Sequence, residues 1–90
     1  FSIHRVYPNP FNPSVTVEVH IPEGQGVELD VVDISGRWVD TLFSGWLAPG
    51  VHRYRWSPSR HSSGRLGSGI YLVVLRGSRT AAVQKVVLLK

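Results

Sequence analysis

The chain has 90 residues, of which 42% are hydrophobic and 18% charged, with no cysteine and no methionine. That is one compact domain, too apolar for a disordered tail; its longest apolar runs, Ile70 to Leu75 and Val86 to Leu89, fall far short of the ~20 residues of a membrane-spanning helix. Disulfides and thiolate metal sites are excluded, and the redox compartment is left open. The net charge of +4 hides an asymmetry, because all six acids precede residue 41. Of the ten Lys and Arg residues only Arg5 and Arg37 do so, leaving eight in 46–90. No run of adjacent bases exists to follow a phosphate backbone, so pairing of acidic with basic strands is expected before an anionic partner, and nucleic acid is not expected as one.

In chain order, Phe1 opens the sequence without a charged-then-apolar leader. The expectation is a module of a longer, processed chain, any signal peptide lying upstream. Residues 1–13 are read as an extended lead-in, because Tyr7-Pro8-Asn9-Pro10-Phe11-Asn12-Pro13 is too proline-rich for a central strand. The sandwich itself is assigned to residues 14–90. Val15, Val17, Val19 and Ile21 alternate with polar residues, the period of a half-buried strand. Val27, Leu29 and Val31 continue the pattern, and the phase shift at Val32 and Ile34 predicts a strand end or bulge. Asp33-Ile34-Ser35-Gly36-Arg37 reads as a hairpin turn into Trp38 to Leu42. Leu47-Ala48-Pro49-Gly50 is a second turn.

From His52 to Trp56 the strand places Val51, Arg53 and Arg55 on one face and His52, Tyr54 and Trp56 on the other, with Trp56 in the core. Residues 57–68 form a Ser/Gly/Arg-rich loop. Ile70 to Leu75 reads as a central strand and Thr80 to Leu89 as the last one. Gly and Pro recur too often for a helix. The class is therefore all-β: a β-sandwich of about seven short antiparallel strands, immunoglobulin-like in type.

Catalytic and metal constellations are absent from the pattern. Gly64-Arg65-Leu66-Gly67-Ser68-Gly69 imitates a phosphate loop but lacks the Lys-Ser/Thr and opens a strand rather than a helix. His4, His20, His52 and His61 have no chelating spacing, and Asp30, Asp33 and Asp40 lack a calcium-loop alternation. No serine stands on a nucleophile elbow. The reading is that the chain is not an enzyme and needs no cofactor or metal. Trp38, Trp46, Trp56, Tyr54 and Tyr71 leave carbohydrate binding as the chief alternative, if their rings are exposed in a row. The plainer expectation puts Trp56 and Tyr71 in the core, with the others covering strand ends.

Several segments are specific enough to carry a family resemblance. They are Tyr7 to Pro13, Val27 to Val39 with Leu42, and Leu47, Pro49, Gly50, His52 and Trp56. Gly64, Ser68, Gly69 and Tyr71 follow, and Lys85-Val86-Val87-Leu88-Leu89-Lys90 closes the set. Together they resemble the C-terminal sorting domains of the type IX (Por) secretion system, which are related to the immunoglobulin-like domain of the flagellar hook-capping protein. Two departures stand out: Ser57-Pro58 where the family commonly has Asp-Gly, and Val86 in place of a frequent Met. The resemblance implies a non-catalytic sorting signal, ending at Lys90. It would send a secreted parent through the periplasm and the type IX outer-membrane translocon to the cell surface or extracellular space. Its implied partners are that machinery, upstream cargo domains of the same polypeptide and a lipopolysaccharide-type anchor, without membrane insertion. The implied recognition residues are Gly69, Tyr71, Lys85, Val86, Val87, Leu88, Leu89 and Lys90. The remaining alternative is a purely structural immunoglobulin-like spacer.

Overall fold

Alternating β-branched residues in short runs, cut by Gly and Pro, fold into two facing antiparallel sheets. The computed structural model describes residues 1–58 and 66–89. Among these there are seven strands and no α-helix: β1 (Ser2–Tyr7), β2 (Val15–Ile21), β3 (Gln25–Asp33), β4 (Trp38–Leu47), β5 (Gly50–Trp56), β6 (Gly69–Arg76) and β7 (Ala81–Leu88). One sheet has the order β1-β2-β5 and the other β4-β3-β6-β7. The all-β sandwich expected from the periodicity is what forms.

The inward residues follow the sequence alternation. Val15, Val17, Val19 and Ile21 of β2 face Val27, Leu29 and Val31 of β3 and Val73 and Leu75 of β6 across one buried core. Trp56 is fully buried at one end, its ring 5.6 Å from those of both Phe11 and Tyr71. Its indole N–H donates to Asp40 Oδ2 at 3.2 Å, so the polar edge of the core tryptophan is satisfied. The phase shift read near Val32 is a ladder irregularity between Val31 and Val32, with a second between Leu29 and Asp30. β6 lies between β3 and β7, as its apolar run requires.

Two expectations need correction. Residues 1–13 are not a lead-in outside the sandwich. Ser2–Tyr7 pairs with β2 as an edge strand, and Phe11 is 1% exposed in the core. The prolines of this segment, Pro8, Pro10 and Pro13, all follow Tyr7, so they end β1 and leave its own backbone free to pair. The strand expected from Trp38 to Leu42 instead continues to Leu47. Gly45, at φ 152°, adopts a backbone conformation in which a side chain would be strained, and carries the strand on toward the next turn.

The charge asymmetry resolves within the fold. Glu18, 3% exposed, accepts from Arg53 Nε at 2.8 Å and Arg5 Nε at 3.3 Å, on the two strands flanking its own. Burial pushes the Glu18 carboxyl up, but hydrogen bonds from Arg53 and Arg5 outweigh it and hold it below the usual range. Asp30 likewise accepts from Arg76 at 2.9 Å. Acids of the first half thus pair with bases of the second.

Candidate functional site

The residues that the resemblance singles out converge on one ladder. β6 and β7 pair without a break, with Gly69 opposite Leu88, Tyr71 opposite Val86 and Leu72 opposite Lys85. Side chains alternate across a strand, so the terminal segment splits by face. Val86 is fully buried and Leu88 3% exposed; both enter the core beside Tyr71. Lys85 is exposed, Val87 half-buried, and Leu89 51% exposed beyond the strand end. Lys90 lies outside the described residues, as do His61, Gly64 and Arg65.

Tyr71 is a core residue with a polar handle. Its ring meets Trp56 edge-on, and its hydroxyl donates to the Gly67 carbonyl at 2.7 Å. Burial, with the nearby negative charge of Asp33 added, pushes the phenol pKa up. Gly69 has φ 151°, which favours glycine where the chain enters β6.

The outer edge of β7 is held by a segment the sequence reading left outside the fold. Asn9 donates from Nδ2 to the Lys85 carbonyl at 3.1 Å and accepts the Val87 N–H on Oδ1 at 3.0 Å. One amide side chain thereby imitates the donor and acceptor of a neighbouring strand. Two residues on, the Phe11 N–H donates to the Val87 carbonyl at 2.8 Å and the Phe11 carbonyl accepts the Leu89 N–H at 3.0 Å, in a parallel bridge. The buried Phe11 ring pins this clamp against Trp56. Asn9 and Phe11 were missed as functional candidates. Their signal was an aromatic residue inside a proline-rich stretch, which has no reason to be there unless it is buried.

The remaining candidates disperse. No group of three or more His or acidic residues that could hold a metal occurs among the described residues. His52 Nε2 is 2.8 Å from the Ala48 carbonyl. Asp33 accepts from the Ser35 hydroxyl at 2.7 Å, the Ser35 N–H at 2.9 Å and the Arg37 N–H at 3.0 Å, which closes the β3–β4 turn and lowers its pKa. Asp30 and Asp40 serve Thr41, Arg76 and Trp56. Of the five aromatics, Trp56 and Tyr71 are core, and Tyr54 is half-buried against Phe43 at 5.3 Å. Trp38 and Trp46 are 61% and 65% exposed. They lie opposite Val32 and Gly26 of β3, six residues and hence about 20 Å apart.

Comparison with known proteins bears on the first half of the chain, the Asn9–Phe11 clamp included, and on the fold as a whole. Residues 5–47 match the family model described as the secretion system C-terminal sorting domain. That span covers the second half of β1, the Pro8–Pro13 segment and β2 to β4. Among solved structures, the chain is similar to PorZ of Porphyromonas gingivalis, described as an essential bacterial surface component of the type IX secretion system. The identity is 22% and the TM-score 0.60; the match covers 96% of this chain and 11% of that one. This second likeness is one of fold, and this chain corresponds to about a tenth of PorZ. No curated protein matches.

Proposed function

We infer that this chain, whose residues 5–47 match the family model of the secretion system C-terminal sorting domain, is such a domain and is read by the type IX machinery at β7. The domain is a sorting signal for type IX secretion, and a substrate of that system is exported to the cell surface or extracellular space. Its family is generally non-catalytic. In our reading, the parent reaches the periplasm by general export with cargo domains upstream. The folded domain is then read at the outer membrane, and the cargo is attached to a lipopolysaccharide-type anchor.

The observation that carries the choice of β7 is its division by face. Val86 and Leu88 are committed to the core, so they specify the strand but stay out of a partner's reach. Lys85, Val87 and Leu89 are the side chains of this segment left for contact, with Lys90 following. Tyr71 and Gly69 act by fixing the register of β7 rather than by touch.

This arrangement decides which experiment is informative. Deleting residues 86–90 would remove two core side chains and confound sorting with unfolding. A periplasmically exported reporter should instead carry either residues 1–90 or the same chain with Lys85→Glu, Val87→Thr and Leu89→Ser, in a host with a working type IX system. The intact fusion is expected at the cell surface and the triple variant, melting near the parent temperature, in the periplasm. Equal display of both would remove this face from recognition. Periplasmic retention of the intact fusion would contradict sorting itself.

Polysaccharide binding keeps one observation in its favour, the exposure of Trp38 and Trp46 on one strand. Retention of the chain on insoluble polysaccharide, abolished by Trp38→Ala with Trp46→Ala, would support it.

A further inference from the structure

Four strands end a sheet here, and three of their edges are blunted. β1 has a ladder irregularity between Ile3 and Arg5 and runs into Pro8. β4 has two irregularities in its ladder. β5 carries Arg53 and Arg55. Bulges, prolines and charges are the usual means of stopping an edge from accepting a foreign strand. β7 differs: its eight-residue ladder to β6 is unbroken, and its first four residues are Ala81-Ala82-Val83-Gln84.

The direction of its free hydrogen-bonding groups follows from the clamp. The Lys85 and Val87 carbonyls and the Val87 and Leu89 N–H groups all point away from β6, toward Asn9 and Phe11. In a regular antiparallel ladder this direction alternates with the residue, so the N–H and C=O of Ala81 and Val83 point the same way. Among the described residues β7 hydrogen-bonds to no strand but β6, the clamp reaches no further back than Lys85, and β1 of the facing sheet lies near β7 without pairing with it. Ala81 and Val83 therefore present an unpaired row of main-chain donors and acceptors, and Val83 is 58% exposed.

We propose that the Ala81–Lys85 edge of β7 is a docking site for one extended, acidic strand of the secretion machinery, added alongside β7 by main-chain hydrogen bonds. This rests on the sorting reading and names how the partner is held. An extended backbone is the ligand that matches a row offering little but peptide groups and small apolar side chains. It is also what already occupies the adjoining half of the same edge, where Phe11 pairs in parallel. Arg79 and Lys85 bracket the open row; both are exposed, and neither has an ion pair among the described residues. Acidic side chains on the incoming strand complement them. The clamp sets where the added strand must stop.

The test uses proline as an edge-specific lesion. Val83→Pro deletes an N–H that faces the open edge, while Gln84→Pro deletes one that bonds to β6. In the surface-display fusion, Val83→Pro is expected to lower display about tenfold, the scale of one or two lost hydrogen bonds, at a near-parent melting temperature. Val83→Thr, which keeps the N–H, should display normally. If Val83→Pro fails to fold, Ala81→Pro poses the same question at the first residue of the strand. Arg79→Glu should reduce display in either background that folds.

Normal display of the folded proline variant would overturn the proposal, while display of the intact fusion keeps the sorting reading standing. Equal loss for Val83→Thr would overturn it too, by assigning recognition to the side-chain face. A self-associating isolated domain whose dimer Val83→Pro dissolves, with display unchanged, would assign the edge to a second copy and equally overturn it.

Discussion

The two halves of β7 form the same ladder with β6, yet their outer edges meet different fates. From Lys85 to Leu89 the edge is closed by Asn9 and Phe11; from Ala81 to Gln84 its outward main-chain groups have no hydrogen-bond partner among the described residues. The difference lies in the neighbour rather than in the strand. A single asparagine, fixed between prolines and followed by a buried ring, supplies what a strand of several residues would otherwise provide. The Pro8–Pro13 segment is thus a structural part of the sorting terminus despite lying at the opposite end of the sequence.

The largest way to break this contrast is Phe11→Ala. Emptying a fully buried aromatic site is expected to cost about 3–5 kcal/mol by denaturant melting and to free the edge from Lys85 to Leu89. Asn9→Ala removes two exposed hydrogen bonds and leaves the core intact, so about 1 kcal/mol is expected. Asn9→Asp should cost more, because a carboxylate oxygen would then face the Lys85 carbonyl. Val83→Pro should be smallest, since its N–H has no hydrogen-bond partner to lose among the described residues and an edge strand tolerates proline. If Asn9→Ala and Val83→Pro destabilise equally, the two halves are not distinct.

pH sharpens the contrast between the β7 clamp and the protection used at the other edges. Glu18 joins β1 and β5 through Arg5 and Arg53, and its folded-state pKa is depressed. Such a group contributes its full stability above its unfolded pKa and loses it as the pH falls through the folded one. Asp33 shifts in the same direction at the β3–β4 turn. Melting temperature should therefore fall below about pH 4, whereas the neutral Asn9 clamp should persist. An acid-induced release of Val87 before any loosening of β1 would contradict this assignment.

Much of this was legible beforehand, and the exceptions have physical causes. Apolar residues at every second position marked β2 and β3, Asp33 and Gly36 marked the hairpin, and Trp56 was legible as a core residue. β1 was obscure because its ladder shifts between Ile3 and Arg5, which breaks the alternation a reader looks for. The burial of Glu18 was hidden because it depends on arginines 13 and 35 residues away. The run from Val86 to Leu89 reads as uniformly apolar, so its inward and outward residues separate only once the ladder fixes the register. No local pattern announces that Asn9 will meet Lys85, since that contact spans 76 residues.

The most direct test of the divided edge is native-state amide hydrogen exchange on the isolated domain, resolved at Val83 and Val87. Slow exchange at Val87 and fast exchange at Val83, with Val87 accelerated selectively by Asn9→Ala, is the result this account predicts. Equal protection of the two amides, or a Val87 amide indifferent to Asn9, would contradict it.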